Sequence, residues 1–145
     1  QNSVPVIYAS EQNADIALNW KIKFNETGKI PAFYNILPEL NHNEMTGFDM
    51  ADSTRALSEK LHFIFLEDPN DHPRIRVRMK VTAKLLKQRG LKCQIIPLKE
   101  SSKIHKIFAA TVLADWTAYY LSQLYKVNPQ DVPMGEEFKK LIKLA

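Results

Sequence analysis

Two residues in this 145-residue sequence have the type and setting that proton transfer requires, Glu26 and His42. Moving a proton between adjacent carbons calls for a carboxylate that holds its proton nearer neutrality than an ordinary glutamate, whose pKa is about 4.3. Glu26 falls at the predicted end of a helix, just before Thr27 and Gly28, where exposed carbonyls and the negative end of the dipole oppose a negative charge. The same place suits a solvated helix-end carboxylate, the commoner role for such residues. His42 stands between Asn41 and Asn43 and before Glu44, so amide and carboxylate neighbours could fix its tautomer for proton shuttling. A loop histidine that only bonds backbone fits the pattern as well.

Other chemistries find less support. His62, His72 and His105 lack a comparable setting, His62 alternating with strand residues, and no spacing gathers histidines and carboxylates into a metal site. Cys93 is the only cysteine, which excludes an intrachain disulfide and fits a reducing compartment. With Gly28, Gly47, Gly90 and Gly135 alone, neither a Walker loop nor a dinucleotide fingerprint can be written, and no cofactor is expected. The net charge of +4 tolerates anions, phosphate metabolites as readily as nucleic acid. Arg74, Arg76, Arg78 and Lys80 form one basic run without interleaved aromatics, which reads as a solvated or interface helix face and not as a nucleic-acid surface. No apolar run reaches the roughly 20 residues that span a bilayer, so the expectation is a soluble, cytoplasmic protein without membrane contact.

The elements that must hold these residues follow from periodicity. Val4 to Ala9 reads as a strand buried on both faces, and Ser10 as the cap of a helix whose Ile16, Trp20 and Phe24 share one stripe and which stops at Gly28. Ile30 to Ile36 and Leu61 to Leu66 read as further strands, with a short helix or turn from Glu39 to Glu44 between them. Arg74 to Lys87 reads as a helix capped at Gly90, and Leu91 to Leu98 as a strand. Ser102 should cap a long helix so apolar from Ile107 to Leu113 that it must be mostly buried, with Trp116, Tyr119 and Tyr120 as core or subunit contact. Pro133 opens a short last helix ending in Lys139, Lys140 and Lys143. Strands alternating with helices predict a three-layer α/β/α sandwich around a parallel, doubly wound sheet, in one domain over 1–145. Chemistry is then to be sought near Ala9, Ile36 and Leu66, at the carboxyl ends of strands.

Four stretches together carry a resemblance: Trp20-Lys21-Ile22-Lys23-Phe24-Asn25-Glu26, Pro31-Ala32-Phe33, the run PELNHNE from Pro38 to Glu44, and VNPQDVP from Val127 to Pro133. The combination resembles the bifunctional phosphoglucose/phosphomannose isomerases, built from two sugar-isomerase (SIS) domains, and matches the second. The resemblance implies a cofactor-free aldose–ketose isomerase acting through an enediol on glucose 6-phosphate, mannose 6-phosphate and fructose 6-phosphate. It implies Glu26 as the base, His42 given by a neighbouring subunit to assist ring opening, and a terminal lysine, mapped to Lys139 with Lys140 and Lys143 competing. Thr27 and Gly28 depart from the asparagine and alanine expected after that glutamate. The implied partners are a sugar phosphate, an N-terminal SIS domain holding the phosphate, and a second copy in a homodimer. A rival reading is a sugar-phosphate-sensing SIS module without catalysis, which would have no use for a carbon-acid base at Glu26 or for His42.

Overall fold

Four apolar runs form one parallel sheet in a computed structural model that describes residues 2–49, 51–99 and 102–143. β1 (Val4–Ser10), β2 (Phe33–Leu37), β3 (Leu61–Glu67) and β4 (Lys92–Pro97) lie in the order β2-β1-β3-β4, each neighbouring pair parallel. The helices are α1 (Ala14–Glu26), the single turn α2 (Arg55–Ser58), α3 (Pro73–Gln88), α4 (Lys103–Tyr125) and α5 (Pro133–Ile142). The winding reverses between β1 and β3, the position at which a doubly wound sheet opens a crevice beyond its carboxyl ends.

Alternation along the two central strands builds two cores. Val6, Tyr8, Phe63 and Phe65 face one side and pack with Leu37, Leu40 and with Met79, Ala83 and Leu86 of α3. Ile7, Ala9, Ile64 and Leu66 face the other, against Ile16, Ala17, Trp20 and Phe24 of α1 and Ala110, Ala114 and Ala118 of α4. Each fully buried phenylalanine contributes on the order of 1.5–3 kcal/mol. The three-layer α/β/α arrangement is therefore the one the alternation of elements predicts.

Local differences from the expected elements have identifiable causes. β2 begins at Phe33 and not at Ile30, because the preceding residues close α1: Ile30 N–H donates to the Phe24 carbonyl at 3.2 Å, and Lys29 adopts a φ of 54°. Gly28 is required in this closure, since a Cβ there would lie 2.8 Å from the Phe24 carbonyl oxygen. Ser10 does not cap a helix with its side chain; its hydroxyl is taken by Asp71, and a 3-10 turn (Glu11–Asn13) precedes α1. Ser102 does cap α4, accepting the His105 N–H at 3.2 Å.

The largest difference is α4, which is not mostly buried. It inserts only Lys106, Ala110, Ala114, Ala118 and Ser122, small or slender residues at every fourth position that let it lie close against α1. The bulky residues are thereby turned outward: Phe108 is 66% and Trp116 54% exposed. Trp116, Tyr119 and Tyr120 pack on each other with ring centroids 5.7–5.9 Å apart and are no part of the core. α5 buries nothing, and its Met134, Phe138, Leu141 and Ile142 form an exposed apolar stripe at helical spacing.

Candidate functional site

At the carboxyl ends of β1 and β3, polar side chains from both following loops fill the crevice. Ser10 Oγ donates to Asp71 Oδ1 at 2.6 Å, and Gln12 Nε2 donates to the same oxygen at 2.8 Å. Asn13 Nδ2 reaches Ser10 Oγ at 3.0 Å and Asp68 Oδ2 at 3.1 Å. Lys106, the first buried residue of α4, pairs with Asp68 Oδ2, while Asp68 Oδ1 accepts the Asn70 N–H at 2.9 Å. Asn13, Asp68 and Asp71 are all buried.

The two carboxylates are displaced in opposite directions. Burial opposes the charge on Asp68, but the Lys106 ammonium, the Asn70 N–H and the Asn13 amide together outweigh it and hold its carboxyl below the usual range. Burial pushes Asp71 up, with the neighbouring Asp68 charge adding to it, against the opposing hydrogen bond from Ser10. Asp71 Oδ2 is buried without a partner among the described residues. A cleft of about 230 Å³ lies alongside, between α1 and α4, lined by Gln12, Asn13, Asn19, Lys103 and Lys106 among others. The crevice itself is occupied by carboxylates, the opposite of the bare N–H groups that cradle an anion at a helix N-terminus.

Glu26 stands elsewhere. α1 runs back from the carboxyl ends of the strands, which leaves Glu26, its last residue, exposed at the amino end of the sheet, where no hydrogen bond or ion pair holds it among the described residues. The VNPQDVP segment returns to this end: Lys29 Nζ donates to the Asp131 carbonyl, so the loop after Glu26 and the segment leading into α5 meet. The loop that follows the first of the four stretches thus touches the last of them. Lys139 lies on exposed α5 and pairs with Glu136 at 2.9 Å; Lys140 and Lys143 are exposed as well.

His42 is exposed beyond the carboxyl end of β2, where 3-10 turns Glu39–Asn41 and Glu44–Phe48 flank it. Glu26 and His42 therefore flank β2 from opposite ends, separated by roughly the 17 Å rise of a five-residue strand. The chain does not bring them together. The flanking amides are not bonded to the imidazole, as their position in sequence suggested they could be. Asn41 Nδ2 donates to Thr82 Oγ1 at 2.7 Å and Asn43 Nδ2 to Glu39 Oε1 at 2.8 Å. Glu44 accepts the Tyr8 hydroxyl on one oxygen and Asn35 Nδ2 on the other. Burial, and then the Glu44 carboxylate, push the Tyr8 phenol upward.

Of the remaining candidates, His62 is partly buried at the start of β3, and its pKa is lowered by burial and by Lys92. Burial pushes the Cys93 thiol up to about 11, which leaves it protonated near neutrality. Asn13, Asp68, Asp71 and Lys106 were not singled out by sequence reasoning. The available signal was position: Asp68 and Asp71 follow Leu66, at one of the strand ends where a doubly wound fold places its crevice.

The arrangement defines a class of fold, the doubly wound α/β/α domain. The crystal structure of glucosamine-6-phosphate deaminase from Thermotoga maritima superposes with a TM-score of 0.64 at 14% identity, covering 91% of this chain and 39% of that one. More specifically, residues 1–142 match the bacterial phospho-glucose isomerase C-terminal SIS domain, and the chain belongs to that family. Relatives named bifunctional phosphoglucose/phosphomannose isomerase are 33% identical over 140 residues in Aquifex aeolicus and 37% over 139 in Thermoplasma acidophilum. Those alignments cover 97% and 96% of this chain but 42% of each relative, so the chain spans about two fifths of their length.

Proposed function

We propose that this chain is the C-terminal SIS domain of an isomerase that interconverts glucose 6-phosphate and mannose 6-phosphate with fructose 6-phosphate. The observation that carries the reading is the family match over 1–142, joined to the exposure of Glu26 at the end of α1 without a partner among the described residues. In the reaction, Glu26 removes the proton from the second carbon of the opened aldose, and the electrons of that bond form the carbon–carbon double bond of the enediol as the first-carbon carbonyl oxygen takes up a proton; the proton then returns from Glu26 to the first carbon as the second-carbon hydroxyl gives up its own and becomes the ketone. His42 assists ring opening, and a lysine of α5, assigned as Lys139, assists beside it.

Two further features support a composite site. Glu26 and His42 are too far apart within one chain to serve one small substrate, which favours a His42 supplied by a second copy. The crevice that would receive phosphate in this fold is filled by Asp68 and Asp71, which favours phosphate binding by a preceding SIS domain. The outward Phe108, Trp116, Tyr120 and Leu124 of α4 offer the apolar area that such association needs. Sedimentation of the full-length enzyme at micromolar concentration should show a dimer. A monomer with normal turnover would remove the cross-subunit role of His42.

The decisive test is Glu26→Gln in the full-length enzyme, which keeps shape but removes basicity. Turnover should fall by roughly 10²–10⁴-fold, the usual contribution of general acid–base catalysis. In deuterated water the variant should stop exchanging the proton on the second carbon. Exchange at the parent rate would reduce Glu26 to a helix-end carboxylate.

A further inference from the structure

We infer that Glu44, clamped by Tyr8 and Asn35, is the positioning residue that aims His42; the inference rests on the proposed role of His42 in ring opening. Tyr8 and Asn35 are register partners on the adjacent strands β1 and β2, so their side chains leave the sheet on the same face. Both converge on Glu44, one on each carboxylate oxygen. The clamp cannot drift. Tyr8 is buried, with its ring 5.5 Å from that of Phe63 and 5.2 Å from that of Phe65, and Asn35 Oδ1 accepts the Ile36 N–H at 2.8 Å, which turns its amide nitrogen toward Glu44.

The other side of His42 is tied as firmly. Leu40 is buried in the core, and Asn41 reaches Thr82 of α3. His42 and Asn43 are the exposed residues between these anchors, the His42 N–H donating to the Glu39 carbonyl at 2.9 Å. A tyrosine buried in a central strand needs some acceptor, but a neutral one would serve. A carboxylate taking two donors fixes the direction of the chain two residues beyond His42, where apolar contact would allow sliding. A group displaced by about 1 Å from its reacting partner can cost up to about 10²-fold in rate.

The test is a double-mutant cycle in the full-length isomerase. Tyr8→Phe removes one donor and should lower kcat roughly 10-fold with KM unchanged, while Tyr8→Phe added to His42→Ala should cost nothing more. Asn35→Ala, which leaves the core untouched, should behave in the same way and stands in if Tyr8→Phe does not fold. An equal loss in the parent and His42→Ala backgrounds, or no loss in either, overturns the positioning role. If His42→Ala alone keeps parental turnover, the assignment of His42 itself fails, and the clamp has nothing to aim.

Discussion

The crevice at the carboxyl ends of β1 and β3 and the two positions that flank β2 use the same residue types in opposite ways. Asp68 and Lys106 are buried and satisfy each other, with Asn13 and the Asn70 N–H completing the set. Glu26 and His42 are exposed at opposite ends of the sheet, and their side chains have no partner among the described residues. The difference separates polar groups that satisfy one another inside the fold from polar groups left exposed and without a partner among the described residues. It also sets the buried polar cluster and the proposed chemistry at different places in the fold.

The comparison is broken most directly at Asp68. Asp68→Ala leaves the Lys106 ammonium buried and unpaired and should cost about 3–5 kcal/mol, read from urea unfolding. A loss below about 1 kcal/mol would show that the cluster is not structural. The pH dependence carries the same signature. The folded pKa of Asp68 lies below its ordinary value of 3.8, so its stabilisation is complete above that value and is lost as pH falls through the lower folded one. The variant should lack this component of acid destabilisation.

Asp71→Asn sharpens the comparison with a smaller effect of the opposite sign. The folded pKa of Asp71 is raised, so ionisation costs stability above that folded value, and the cost disappears below the unfolded one. The variant keeps an acceptor for Ser10 and Gln12 and removes a charge beside Asp68. Its new buried amide N–H adds a cost that does not vary with pH, so the signature is in the pH dependence: relative to the parent, the variant should become more stable as pH rises through the folded value of Asp71. A stability difference that does not change with pH would mean that Asp71 ionises in the fold without penalty. The smallest effect belongs to the other region: Glu26→Gln and His42→Ala should each change stability by less than about 0.5 kcal/mol in thermal unfolding. A larger change would mean that these residues also hold the fold.

Much of the architecture could be read before the structure. The apolar runs from Val4 and Leu61 are strands because both their faces are covered, and Ile16, Trp20 and Phe24 mark a helix because their spacing matches its turn. Glu26 and His42 stood out only because short motifs surround them. The Asp68–Lys106 pair spans 38 residues and the Ser10–Asp71 bond 61, and no local period encodes a contact at that distance. The outward turn of Trp116 was hidden for a different reason. An apolar helix reads as buried, and periodicity does not say whether its own chain or another covers it.

Helix α4 has one further property, which concerns movement along its own axis. Near its start Lys106 is locked to Asp68, and in its last residue the Tyr125 hydroxyl accepts the Asn2 N–H at 3.0 Å. Between them Ala110, Ala114 and Ala118 sit against α1 at four-residue intervals, so the helix has detents but only one setting that engages both ends. A slip of one turn, about 5.4 Å, would release both locks at once. The outward ridge of Phe108, Trp116 and Tyr120 is therefore carried on a bolt and not on a sliding rod, held at one end by the ion pair in the crevice and at the other by Tyr125.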